Sequence, residues 1–225
     1  MAMTTKLDFL KASPFFSGLS QAKLEAIGQH VFEKRLARGE MALHEGASTE
    51  ALYFVAEGVV KLFKTSAEGK EQILSLMRPG DSFNDVPMFD HGPAPANAEA
   101  MGPVILYGIQ KSDLEMLLRQ YSELAQNIIG VLARRIRHLI SLVEDLSFRS
   151  VVSRVSKILL ENIGSEVSPG PRLTQRDMAA MAGTAREVVS RSLRLLEEEK
   201  LIEMRQHRIV IRNKAGLAKL VEPDF

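Results

Sequence analysis

Arg186, Glu187, Ser190 and Arg191 stand at i, i+1, i+4 and i+5 within AREVVSRSL, residues 185–193. On a helix that spacing gathers them on one side, while Val188, Val189, Leu193, Leu195 and Leu196 supply a buried side. An arginine offers two parallel donors to guanine O6 and N7, and a carboxylate can accept from cytosine N4. A glutamate aimed at DNA for any other purpose would be repelled by phosphate. A plain solvated helix would instead pair Glu187 with Arg191 at i,i+4, worth about 0.3 kcal/mol.

The surrounding segment, LTQRDMAAMAGTAREVVSRSLRLLEEEKLI (173–202), supplies the rest of a helix-turn-helix. Thr174 followed by Asp177 has capping-box spacing and starts a helix running to about Met181. Ala179 and Ala180 permit a close helix crossing, and Gly183 suits the sharp turn. The second helix is expected over about 185–199. LIEMRQHRIVIR (201–212) then reads as two short strands around Arg205, Gln206 and His207, a wing with cations at its tip. Thr174 and Gln175 at the start of the first helix, with Arg205 on the wing, are the candidate phosphate contacts.

These residues need a body to hold them, and 225 residues with 45% hydrophobic content suffice for two cores. No apolar run approaches the ~18 residues of a membrane span, and MAMTTKLDFLKASPFF is too broken by charge and proline for a secretory leader. A cytoplasmic protein without a membrane partner is the expectation. The chain has no cysteine, which removes disulfides, thiolate zinc and cysteine-held iron–sulfur clusters. Residues 1–147 carry 15 Lys and Arg against 18 Asp and Glu, a net of −3. Residues 148–225 carry 14 against 10, a net of +4 that points toward a polyanion.

Helical spacing of Leu24, Ile27 and Val31 predicts a helix over 20–32 with Ser20 as its cap. From about 34 to 110, short β-rich runs such as ALYFV, VVKLF, QILSLM and VILYGI alternate with regularly placed glycines, the texture of an all-β roll or barrel. Residues 111–147 read as helical throughout. The later part carries a heptad whose core positions include Ile128, Leu132, Leu139, Leu142 and Leu146, with Ile129, Ile136 and Val143 as a flanking stripe. The first set is expected to form the seam of a homodimer, with Arg135 inside it as a charge that must find a partner. FRSVVSRVSKILLENIG (148–164) is another amphipathic helix, and GSEVSPGP (164–171) a turn-rich link.

The fold class is therefore α+β. A β-roll domain over 1–110 precedes a dimerisation helix region over 111–147 and a winged helix-turn-helix domain over 148–225. An enzyme built on the roll as a cupin-like metal site is disfavoured, because the adjacent His44 and Glu45 would face opposite sides of a strand. No catalytic set and no confident metal site emerges.

FVAEGVVKLF with MRPGDSF, VEDLSFRSVVSRVSKIL, and above all TAREVVSRSLRLLEEEKLI resemble the cyclic-AMP receptor / fumarate-nitrate regulator (Crp/Fnr) family of bacterial transcription factors, over nearly the whole chain. The resemblance implies a jelly-roll effector domain like that of cyclic-nucleotide-binding proteins, a homodimer on a near-palindromic double-stranded operator, and contact with RNA polymerase. It places Glu187 and Arg191 on the inner C·G and G·C pairs of each half-site. Arg186 matches the cyclic-AMP receptor branch, and Ser190 the fumarate-nitrate branch.

The departure lies in the effector pocket. Where cyclic-nucleotide members have Gly-Glu and, further on, Arg-Ser, this chain has Asn84–Asp85 and Pro95–Ala96. Loss of the phosphate-holding arginine, with nothing nearby expected to replace its charge, argues against cyclic AMP as effector and against a cyclic-nucleotide-binding module without a DNA role. What remains is an unknown small-molecule or gas effector, or none. No cofactor is certain. The cysteine-less, haem-dependent branch that senses nitric oxide or carbon monoxide is the alternative, with His91 and His138 as candidate ligands.

Overall fold

The computed structural model describes residues 5–48, 50–163, 173–205 and 208–221. The backbone divides into two compact units, Met1–Lys64 with Ser75–His138, and Thr65–Leu74 with Leu139–Phe225. Among the described residues no helix is long and apolar enough to cross a membrane.

The first unit opens with α1 (Lys6–Ala12), a 3-10 turn (Pro14–Phe16) and α2 (Gln21–Gly28). Thr5 and Ser20 cap α1 and α2 by accepting from the backbone N–H groups of Asp8 and Lys23. The helix expected over 20–32 thus ends at Gly28, and Val31 opens a strand instead. Eight strands follow: β1 (Val31–Leu36), β2 (Met41–Leu43), β3 (Ala51–Glu57), β4 (Val60–Thr65), β5 (Glu71–Met77), β6 (Ser82–Phe83), β7 (Asn97–Ala100) and β8 (Val104–Gln110). Between β6 and β7 lies α3 (Val86–Asp90). The strands form two four-stranded sheets, ordered β1-β8-β3-β6 and β2-β7-β4-β5. This is the expected roll.

Strict alternation explains why β8 is apolar along nearly its whole length. Val104 and Leu106 point into the interior shared with Val55, Val60, Phe83, Ala98 and Ala100. Ile105, Tyr107 and Ile109 point to the other face, where the N-terminal helices pack. There Phe54 of β3 is ringed by Phe9, Phe15 and Phe16, with centroids at 5.9, 5.1 and 5.3 Å. Burial of one such ring contributes roughly 1.5–3 kcal/mol. The turn from β3 to β4 needs Gly58: its φ is +83°, and a Cβ there would lie 2.4 Å from the Pro103 carbonyl oxygen.

The helical stretch after β8 is two helices, α4 (Lys111–Gln120) and α5 (Ser122–Phe148). The break falls at Tyr121, whose backbone is extended (φ −127°, ψ 91°) and whose side chain packs against the first core. Neither glycine nor proline announces it.

In the second unit α6 (Val151–Asn162), α7 (Gln175–Ala182) and α8 (Arg186–Glu198) enclose one core with β9 (Ile202–Arg205), β10 (Arg208–Ile211) and α9 (Lys214–Lys219). Val155 and Leu159 of α6, Met178 and Ala182 of α7, and Val189, Leu193 and Leu196 of α8 are its centre. The link expected at 164–171 and the wing tip at Gln206 and His207 lie outside the described residues.

Candidate nucleic-acid interface and effector region

Helix α7, which leads into the turn before α8, is fixed at both ends. The capping box is formed: Thr174 Oγ1 accepts from Asp177 N at 3.1 Å, and Asp177 Oδ2 accepts from Thr174 N at 2.8 Å. At the other end Gly183 takes a left-handed conformation (φ +62°), and a Cβ there would meet Leu146 Cδ2 at 2.7 Å. Charge then steadies the pair. Arg154 of α6 donates from Nε to the Ala182 carbonyl at 2.8 Å and from Nη1 to the Arg149 carbonyl at 2.6 Å. Asp145, 8% exposed, faces Arg149 Nε at 2.7 Å and Lys157 Nζ at 2.5 Å. Breaking such a buried group on one side costs more than an exposed pair is worth.

On this support α8 presents two sides. Val189, Ser192, Leu193 and Leu196 are buried, whereas Arg186, Glu187 and Arg191 are exposed and Ser190 half-exposed. Leu195, expected on the buried side, is 44% exposed. Its place is taken by Ser192, which satisfies its hydroxyl on the Val188 carbonyl at 3.0 Å. Arg194 is exposed three and four residues beyond Arg191 and Ser190, so it extends the same side. Its i+3/i+4 spacing from Arg191 and Ser190 is the sequence signal for it. The i,i+4 ion pair between Glu187 and Arg191 is not made, and among the described residues neither has a charged partner. Ala185 at the N-cap offers no side-chain bond, so the first N–H groups of α8 are left for an outside acceptor.

The candidate phosphate contacts differ from one another. Thr174 spends its hydroxyl on the capping box, donating to Asp177 Oδ2 at 2.7 Å, and Gln175 is half-exposed at the first position of α7. The wing strands pair antiparallel, with Arg205 opposite Arg208. Arg205 is exposed and donates from Nε to Glu203 Oε1 at 2.5 Å. Glu197 of α8 accepts from Met204 N at 2.8 Å, which ties the wing to the helix.

The seam expected on α5 divides. Ile128 is 4% exposed in its own protomer's core with Leu132 packed beside it, so Ile128 cannot face another chain. Leu139 and Leu146 are exposed at 41% and 37%, and Leu142 is half-buried. The more open stripe is the flanking one. Ile129, Ile136, Ile140 and Val143 are 66%, 58%, 61% and 63% exposed at i, i+7, i+11 and i+14. Packing against the first core consumes Ile128 and Leu132.

Arg135 has left the seam as well. Its guanidinium bonds the Asp85 carboxylate and the Ser82 carbonyl, beside the interior of the roll. A cation does therefore reach the effector region, contrary to the expectation that none would, but the chain itself occupies it. Asp85 is 3% exposed, and Asn84 takes a left-handed backbone (φ +67°) with its side chain donating to the Ala51 carbonyl at 2.7 Å. Pro95 is exposed and Ala96 half-exposed. Phe83, just before Asn84, stacks with Tyr53 at 5.5 Å, and burial raises the Tyr53 hydroxyl's pKa above its ordinary value.

Both haem candidates are solvent-exposed. His91 sits in a left-handed turn after α3 with Nδ1 2.8 Å from Lys111 Nζ, and His138 lies on α5. Neither belongs to the apolar interior between the sheets, where a macrocycle would be buried. The fit to haem is poor.

Two family models match the chain, a cyclic nucleotide-binding domain over residues 33–121 and a Crp-like helix-turn-helix domain over 153–220. The cyclic AMP receptor protein of Thermus thermophilus is 32% identical over 212 residues, covering 94% of this chain and 98% of the relative. A CRP-like cAMP-activated global transcriptional regulator of Mycobacterium tuberculosis is 26% identical over 219 residues, covering 94% and 98%. Among solved structures, the Thermus thermophilus catabolite activator protein matches with TM-score 0.56 and 31% identity over 93% of this chain and 98% of that one. FixK2 of Bradyrhizobium japonicum shares the fold at TM-score 0.77, with 24% identity over 87% and 99%. With a β-roll, a long helix and a winged helix-turn-helix in that order, the chain belongs to the Crp/Fnr family of DNA-binding transcriptional regulators.

Proposed function

We propose that the protein acts as a homodimer on a two-fold operator, reading it with Glu187 and Arg191 of each α8, and that its effector is not cyclic AMP. The observation that carries the DNA reading is the exposed side of α8. Arg186, Glu187 and Arg191 stand in solvent, Glu187 and Arg191 without an internal charged partner among the described residues, on a helix whose other side buries Val189, Ser192, Leu193 and Leu196. Side chains held out and uncommitted in this way suit base edges. Arg186 reads an outer guanine or holds the backbone; Gln175 and Arg205 hold phosphates, while Thr174, both of whose donors go to Asp177, positions the start of α7. Contact with RNA polymerase is carried over from the family. The protein works by binding rather than catalysis, in the cytoplasm.

Dimerisation is assigned to Ile129, Ile136, Ile140 and Val143, whose spacing is that of an a/d seam and whose exposure is unusual for β-branched residues. A two-fold dimer places half-sites about one helical turn, ~10–10.5 base pairs, apart.

The effector reading rests on charge. A phosphate entering at residues 84–96 would meet the Asp85 carboxylate, and the cation beside it is already paired. Pro95 and Ala96 offer no replacement. An uncharged or apolar effector, or none, suits this interior. The Thermus relative is named for cyclic AMP; that ligand is not carried over. Fluorescence anisotropy with promoter fragments, with and without cyclic AMP, tests both parts. Specific binding unchanged by the nucleotide is expected. Absence of specific binding would overturn the first part, and a saturable response to the nucleotide the second.

A further inference from the structure

We propose that Glu203 is a specificity-setting residue of the wing: it holds Arg205 and Arg212 on the protein surface, so that they reach DNA phosphate only once the operator complex has formed. The inference rests on the DNA-binding reading above and adds a role that helix α8 does not have.

The geometry starts from strand alternation. Ile202, Ile209 and Ile211 face the core of the second unit, which leaves Glu203, Arg205, Val210 and Arg208 on the opposite face of the two strands. Arg212, two residues after Val210, continues that face. Three arginines and one glutamate therefore share a single outward surface, and the glutamate is central. Its Oε1 accepts from Arg205 Nε at 2.5 Å, and its Oε2 accepts from Arg212 Nε at 2.6 Å. The bonds from Arg205 and then Arg212 hold the Glu203 carboxyl below the usual carboxylate range, so it is ionised throughout the neutral region.

A surface built only to attract phosphate would not place a carboxylate between two of its cations. The pairs are exposed, with side-chain accessibilities of 57% and 41% for the arginines and 37% for Glu203. Exposed pairs are weak and screened by salt, so a well-placed phosphate can displace the carboxylate. A phosphate met at random, without α8 seated in the groove, has no such advantage. Glu203 therefore lowers sequence-independent attraction more than it lowers operator affinity. For a regulator that competes with a genome of non-specific sites, that ratio matters more than affinity itself.

The test is Glu203→Gln in the full-length protein, which removes the charge and keeps the side-chain shape. Affinities for a selected operator and for a scrambled duplex are read by anisotropy between 50 and 300 mM salt. We expect scrambled-duplex affinity to rise about tenfold at low salt, its log–log salt slope to steepen by ~1 per wing, and operator affinity to change by less than about threefold. Glu203→Asp should stay near wild type, and Glu203→Gln with Arg205→Ala should restore much of the original slope. An unchanged thermal midpoint would confirm that the wing remains folded. If wild type prefers its operator and Glu203→Gln moves both duplexes equally, or moves neither, the role of Glu203 is overturned while the DNA reading stands. Wild type with no operator preference would overturn the DNA reading itself, and this role with it.

Discussion

Arg135, midway along α5, bonds the carboxylate of Asp85 at the start of α3. The side chains are 22% and 4% exposed, so the acid is enclosed and the base partly wet. The pair therefore ties α5 to the edge of the roll interior, and it commits to a carboxylate a cation that could otherwise have served a phosphate.

Because Asp85 is the more enclosed partner, removing Arg135 leaves a buried carboxylate without its counter-ion. Arg135→Ala should lower stability by on the order of 3 kcal/mol, and Asp85→Leu with Arg135→Met should recover most of that loss. Urea unfolding of Asp85→Leu, Arg135→Met and the double variant, treated as a cycle, measures the coupling. Additive effects would show that the contact contributes nothing.

Cyclic AMP should be inert. At millimolar concentration it should shift neither the thermal midpoint nor the operator affinity, although a ligand at 100 times its Kd would stabilise by about 2.7 kcal/mol. A saturable rise in the midpoint would mean that the Arg135–Asp85 pair opens to admit the phosphate.

The helix-turn-helix was legible in its cap, its turn and most of its buried side, because those signals are local; Leu195 and Arg194 were the exceptions. Thr174 and Asp177 announce the cap, Gly183 the turn, and Val189 and Leu193 the buried side. The roll was legible as a class, from short β-rich runs between glycines, but its strand order was not. The pairing of β1 with β8 joins residues 68 to 78 positions apart. The heptad on α5 was legible as a period, but which of its stripes turns into the protomer's own core was not. Ile128 and Ile129 carry the same apolar signal, and only packing against Phe15 and its neighbours decides that Ile128 turns inward. Arg135 is the same lesson with charge: sequence shows that it needs a partner, and the fold supplies Asp85.

The proposed seam separates two variants. Ile136→Lys or Ile140→Lys should give monomers in sedimentation with little loss of protomer folding. Ile128→Ala should stay dimeric while losing roughly 2–5 kcal/mol of stability. Leu139→Lys should act less strongly than Ile136→Lys, since Leu139 is only 41% exposed against 58%. A monomeric Ile128→Ala beside a dimeric Ile136→Lys would reverse the assignment.

Phosphate holders should show no base preference. Arg205→Ala should weaken every operator variant by the same factor and lower the salt slope by about one unit per contact removed. A loss confined to one base position would make Arg205 a reader instead.

Base readers should do the opposite, and selection of binding sites from random DNA with wild type, Arg186→Ala and Arg191→Ala tests the central claim most directly. Wild type should select a two-fold site with a G·C and a C·G pair in each half. Arg191→Ala should lose the preference for its guanine, at a cost of roughly 1–3 kcal/mol per half-site, while the flanking positions persist. An Arg191→Ala consensus that keeps its guanine unchanged would contradict the assignment of α8 as the reading helix.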